Sequence, residues 1–180
     1  MKITKREIVT KRPFLNLMEA TYENEGKEGK WTYVSRSTKK TGQSDAVMVV
    51  GITKNNKIVL IKQYRVPVDG YIIEFPAGLI DEGETAEEAA KREFKEETGM
   101  EITKILKVSP STFNSAGLTD ETVTMVFAEV EGEPSTEGNE STEDIEVLVL
   151  DHAQLRELEQ NDKTKWSAKG WLYCGMFLNL

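Results

Sequence analysis

A chain of 180 residues, 38% hydrophobic and 30% charged, has room for one domain with a sizeable core, or for one domain plus a small extension. It fits neither a disordered chain nor a membrane protein. The formal net charge of −8 has the wrong sign for tracking a nucleic-acid backbone. A single cysteine, Cys174, and a single histidine, His152, exclude an internal disulfide, multi-cysteine zinc and clustered-His metal sites, and argue against a Ser-His-Asp triad.

Residues 1 to about 44 read as short strands and turns. WTYVSRST alternates bulky and polar residues, and YENEGKEGK before it reads as a polar connection. This part is too small to form a core alone and is expected to pack on something else, such as a second copy of the chain. No signal peptide and no membrane-length apolar run is visible, so cytoplasm is the expected location.

From Asp45 onward, AVMVVGIT and KIVLIKQYRV are strand-like runs joined by a KNN turn, and YIIEFPAGLI is a strand that breaks at Pro76 and Gly78. A helix is predicted over roughly 85 to 99. Thr85 and Glu88 supply a capping box, Ala86, Ala89, Ala90 and Phe94 an apolar stripe, and Gly99 a stop. ITKILKVSPSTF and ETVTMVFAEVE read as strands, EGEPSTEGNESTED as a mobile acidic loop, and DIEVLVL as a strand. HAQLRELEQ and SAKGWLYCGMFLNL read as helical, with Trp171, Leu172, Met176 and Phe177 as core candidates. This order suggests helices packed on a mixed sheet.

The segment GLIDEGETAEEAAKREFKEETGM, residues 78–100, carries the chemistry. Glu93, Glu96 and Glu97 converge on one helical face, where like charges cost a few tenths of a kcal/mol per pair. A hard divalent cation would offset that repulsion, and Arg92, four before Glu96, would hold that carboxylate in place. Taken alone, such a run is more often a solvated face, and Arg92–Glu96 more often a surface ion pair. The full spacing reverses that judgement. The segment satisfies G-x5-E-x7-R-E-U-x-E-E-x-G-U, with U a bulky apolar residue, at Gly78, Glu84, Arg92, Glu93, Phe94, Glu96, Glu97, Gly99 and Met100. Chance agreement is on the order of one in 10⁶ from residue frequencies.

This is the signature of the Nudix hydrolase superfamily, and KQYRVPVDGY followed by EFPAGLIDEGET is similar to its ADP-ribose pyrophosphatase branch. WTYVSRSTKK and FLNLMEATY also resemble that branch. The resemblance implies an α/β/α sandwich around a mixed sheet over residues 45–180. It also implies that residues 1–44 form a β extension for dimerisation and substrate binding, exchanged across a homodimer. It implies Mg²⁺, with Mn²⁺ as substitute, held by Glu93 and Glu97 with help from Glu96 and the Ala77 carbonyl. Glu84 is structural or outer-shell, and Arg92 supports the site. The general base falls at Glu143, with Glu140 as runner-up, on a loop whose closure would bring it to the substrate. Arg36 and Arg65 match arginines that contact phosphates and the distal sugar, and Gly78 and Leu79 lie at the substrate. Trp31 matches an aromatic that stacks on the base, with Phe14 as a possible partner from the other subunit.

The implied reaction is hydrolysis of the pyrophosphate bond of a nucleoside diphosphate sugar, ADP-ribose first, giving AMP and ribose 5-phosphate. The sequence departs from the branch at Asn114-Ser115-Ala116-Gly117, where alanine stands in place of a proline. That opens a broader use of substrates such as GDP-mannose or UDP-glucose. A nucleotide sensor without turnover is disfavoured because no box carboxylate is missing.

Overall fold

The computed structural model describes residues 1–36, 44–139 and 142–179. In chain order the strands and helices are β1 (Lys2–Lys11), β2 (Leu15–Asn24), β3 (Lys27–Arg36), β4 (Ala46–Thr53), β5 (Ile58–Arg65), β6 (Gly70–Glu74), β7 (Ala77–Leu79), α1 (Ala86–Thr98), β8 (Glu101–Val108), β9 (Thr112–Phe113), β10 (Thr122–Glu131), β11 (Ile145–Leu150), α2 (His152–Glu159) and α3 (Ala168–Leu178). The chain divides into two compact units, Met1–Ala46 with Pro110–Thr124, and Val47–Ser109 with Met125–Leu180.

In the first unit β1, β2 and β3 form an antiparallel sheet of three ten-residue strands. The expectation that YENEGKEGK is a connection is corrected here. Tyr22 pairs with Gly29, Glu23 with Glu28 and Asn24 with Lys27, leaving only Glu25 and Gly26 to turn the chain. Both have positive φ, 51° and 75°, which is the two-residue hairpin turn whose twist matches its strands. Polarity in this segment marks solvent exposure, not the absence of a strand. Little of the sheet is buried: Ile8, Val9 and Trp31 are exposed, as is Phe14 in the β1–β2 connection, and the buried side chains of the strands are Asn16, Ala20 and Ser35. Residues 110–124 are tied to β3, with the Val34 N–H donating to Leu118 O at 2.9 Å and Ser35 Oγ donating to Asp120 at 3.1 Å.

In the second unit the sheet runs β11-β5-β4-β10-β8, with β6 added on β5 and β7 on β4. The expected α/β fold, helices on a mixed sheet, is observed. The core gathers Val47, Val49, Val59, Ile80, Ala89, Ala90, Phe94, Met100, Val126, Ala128 and Val130. Helix α1 forms where predicted. Thr85 and Glu88 cap each other reciprocally, and Gly99 at φ 71° ends it. Gly51 lets β4 approach the helix: a Cβ there would stand 3.0 Å from the Phe94 ring. Helix α1 packs on β7 and β8, while α3 packs on β6 and α2.

Two further expectations change. YIIEFPAGLI is two strands, β6 and β7, separated at buried Phe75 and Pro76. Of the four core candidates on α3 only Phe177 is buried; Trp171, Leu172 and Met176 are exposed, and Gly170, Cys174 and Phe177 make the buried stripe. Their spacing of i, i+4, i+7 is one helical face, but the helix is apolar nearly all round, so its sequence does not mark which face is inside. Among the described residues, no helix is long and apolar enough to cross a membrane.

Candidate active site

The site is built where β7 hands over to α1. The short strand brings Ala77, Gly78 and Leu79 beside the helical face that carries Glu93 and Glu97. Glu97 is 3% exposed and accepts a hydrogen bond from the Ala77 N–H at 2.9 Å. Burial pushes its carboxyl up to about 8; the Ala77 hydrogen bond opposes this, the charges of Glu143 and Glu93 reinforce it, and Arg65 opposes it. Glu93, half-buried, is also raised, chiefly by burial, against the pull of Arg92 and with further push from Glu96 and Glu143. Gly78 makes room for the Glu93 carboxylate where it stands: a Cβ there would run into it and the side chain would have to move.

Arg92 joins the glutamates. Its Nε and Nη2 grip the two Glu84 oxygens at 2.9 and 2.8 Å, Nη1 reaches Glu93 at 2.7 Å and Glu96 at 3.2 Å, and Nη2 also donates to Leu79 O at 3.0 Å. The guanidinium is correspondingly held charged, first by Glu84 and then by Glu93. Glu96, the partner expected for it, is the longest of these contacts. The forked pairing with Glu84 gives a physical reason for the Glu and Arg eight residues apart in the motif: together they pin the loop before α1 to the helix.

Arg65 on β5 donates from Nε to Glu74 Oε1 at 2.6 Å. Glu74 is itself raised by burial, an effect that Arg65 and Lys169 oppose. Glu143, just before β11, lies close enough for its charge to act on both Glu93 and Glu97. Glu140 lies outside the described residues. In the first unit, Arg36 is paired with Glu121 through Nε at 2.6 Å, and Asn114 Nδ2 donates to the other Glu121 oxygen at 2.7 Å. Trp31 is half exposed with its indole N–H on Gly117 O at 3.2 Å, and Phe14 is 79% exposed. The sequence reading did not include Glu74 and Glu121, the carboxylates that orient the two arginines. Finding them needs strand register and the packing of residues 110–124 on β3.

The donor chemistry fits a divalent cation. Glu93 and Glu97 offer carboxylate oxygens whose negative charge is disfavoured where they stand, and a cation would relieve that. Among the described residues no three His, Cys, Asp or Glu side chains form a ready-made metal cluster. Mg²⁺ does not require one, since it is commonly held by one or two carboxylates completed by waters and substrate phosphates.

A family model described as the NUDIX domain matches residues 42–170. The chain is 40% identical over 124 residues to the ADP-ribose pyrophosphatase of Saccharomyces cerevisiae, covering 66% of this chain and 53% of that protein. It is 32% identical over 136 residues to the ADP-sugar pyrophosphatase of Mus musculus, covering 73% and 62%. It thus spans less than two thirds of the length of either relative. The solved structure of an ADP compounds hydrolase superposes with a TM-score of 0.70 at 24% identity, over 97% of this chain and 91% of that one, a likeness of fold. With the motif residues assembled at the β7–α1 junction and the family match running from 42 to 170, this chain belongs to the Nudix family.

Proposed function

We propose that the protein hydrolyses the pyrophosphate bond of nucleoside diphosphate sugars with Mg²⁺, or Mn²⁺ in its place, and that ADP-ribose is its preferred substrate, giving AMP and ribose 5-phosphate. The observation that carries this reading is the gathering of carboxylates beside Ala77 and Gly78: Glu143 raises the cost of ionising both Glu93 and buried Glu97, and Glu93 adds to that of Glu97. A site so negative accepts an anionic diphosphate only with a cation between them. Glu93 and Glu97 would hold the metal, with Glu96 and the Ala77 carbonyl assisting, and the bound metal supplies charge neutralisation and an acidified water. Arg92 keeps Glu93 and the Glu84 loop in register. Glu143 takes the proton from the attacking water as general base.

Arg65 and Arg36, each oriented by one carboxylate, offer planar donor sets suited to phosphate and sugar oxygens. Trp31 offers an exposed ring face for the base, and Gly78 and Leu79 line the substrate. The exposed apolar side chains of the β1–β2–β3 sheet, with Phe14 in the β1–β2 connection, support a homodimer in which residues 1–44 cover a second copy. The names of the two relatives support the substrate class.

The alanine at 116 favours a second reading, in which GDP-mannose and UDP-glucose are cut as well. Turnover of ADP-ribose, GDP-mannose and UDP-glucose with Mg²⁺, products resolved by chromatography, separates the two. A preference for ADP-ribose of about tenfold or more, roughly 1.4 kcal/mol of transition-state discrimination, is expected. Comparable rates on several substrates favour the broader enzyme, and no turnover with either metal would leave a nucleotide sensor.

A further inference from the structure

Asp144 stands where the acidic connection ends and β11 begins. The Tyr64 N–H donates to its carbonyl at 3.0 Å, and the next pair, Ile145 with Gln63, opens the antiparallel β11–β5 ladder. Its carboxylate accepts the hydroxyl of Tyr71, on β6. The tyrosine is held in turn: its ring lies edge-on to Tyr64, centroids 5.4 Å apart, with Lys62 Nζ 5.1 Å from its centroid. Tyr64 donates to Asp69 at 2.5 Å and Lys62 meets Glu146 at 2.8 Å. Lys62 and Tyr64 on β5, and Glu146 two residues beyond Asp144, share one face of the sheet by the two-residue period of a strand. Glu143, the neighbour of Asp144, precedes the first ladder pair, and its charge acts on Glu93 and on Glu97, the carboxylate that Arg65 also reaches electrostatically.

We infer that Tyr71, acting through Asp144, is the positioning residue for Glu143: the tyrosine hydroxyl fixes where the connection ends, and so where the neighbouring carboxylate stands. The inference rests on the reading of Glu143 as the base of a pyrophosphatase. A base displaced by about 1 Å loses about a hundredfold in rate, so the geometry of this junction matters to turnover even though an exposed Tyr–Asp hydrogen bond adds little to stability.

The test uses the full chain with Mg²⁺ and whichever nucleoside diphosphate sugar it cleaves. Tyr71→Phe is expected to lower kcat about tenfold or more with KM and thermal midpoint nearly unchanged. Tyr64→Phe, which removes a hydroxyl from the same surface but one bound to Asp69, serves as control and keeps a near-wild-type kcat. In a Glu143→Gln background, adding Tyr71→Phe should cost nothing more, because the group it positions is gone. Apart from turnover, Tyr71→Phe should speed amide hydrogen exchange across residues 142–146. A wild-type kcat for Tyr71→Phe beside a crippled Glu143→Gln overturns the inference and leaves the proposed function standing. Additive losses, or a wild-type rate for Glu143→Gln, also overturn it. If the wild type cleaves none of these substrates, the proposed function falls, and unchanged exchange in Tyr71→Phe overturns the inference on its own.

Discussion

Glu97 links the chemistry of the site to the stability of the fold. Its carboxyl is pushed from an ordinary 4.5 up to about 8, mainly by burial. Between these values the folded chain keeps a proton that the unfolded chain has released. Folding is then favoured by low pH, and stability falls as pH rises from about 4.5 to about 8. Below the window both states are protonated, and above it both are ionised, so the slope vanishes on either side. At about 1.4 kcal/mol per pKa unit the whole window sets an upper bound of about 5 kcal/mol, which relaxation and entering water reduce. The assay is urea unfolding in EDTA at pH 5, 6.5 and 8, repeated with Mg²⁺. The metal-free wild type should lose stability steadily across the series. Mg²⁺ should restore more of it at pH 8 than at pH 5, because only the ionised carboxylate ligates. Glu97→Gln should make the metal-free slope shallower, leaving the part that the raised Glu93 and Glu74 contribute, and lose the Mg²⁺ effect. A flat wild-type curve, or the same slope in Glu97→Gln, would refute this account of the buried carboxyl.

Other changes should separate the site from its scaffold. Gly78→Ala drives a methyl into the Glu93 carboxylate; the side chain can swing away, so turnover should fall about a hundredfold with a minor shift in thermal midpoint, and equal losses in both would argue against a site-specific effect. Phe94→Ala empties the fully buried centre of the core and should cost about 3–5 kcal/mol in urea unfolding. Thr85→Ala removes half of the capping box and should cost about 1 kcal/mol by the same measurement. Cys174 is buried and its thiol pushed up to about 12 by burial, with Glu159 adding to the effect. A disulfide reagent at pH 8 should therefore label it only as fast as the protein opens; complete labelling of the folded protein within seconds would contradict that burial.

What could be read from the sequence divides along a physical line. Helix α1, its two ends and the carboxylates on it follow from contacts between residues at most four apart, and a linear pattern records such contacts directly. Even the Glu84–Arg92 fork is encoded as a fixed spacing. The strands β4 and β5 are legible too, since their apolar runs reflect burial on both faces, and β10 through its alternation of buried and partly exposed residues. The first unit is less so: WTYVSR shows the alternation of β3, but its first half is a polar run that hides the two-residue turn, and β1 is exposed nearly throughout. Helix α3 fails for the opposite reason, being too uniformly apolar to reveal its buried stripe.

The remaining features depend on register. Arg65 meets Glu74 only because β5 and β6 run antiparallel with Ile61 opposite Glu74. Arg36 meets Glu121 only because residues 110–124 pack on β3. Tyr71 meets Asp144 because β6 and β11 flank β5 on its two sides. A one-residue slip in any of these pairings would send the partner to the opposite face. Nothing in the spacing of residues 71 and 144 announces their contact. The box therefore reports the groups proposed to meet metal and phosphate, while the partners of Arg65, Arg36 and Asp144 are settled only when the chain is assembled. By that logic, substitutions that shift the β5–β6 register should lower turnover while every residue of the box stays intact.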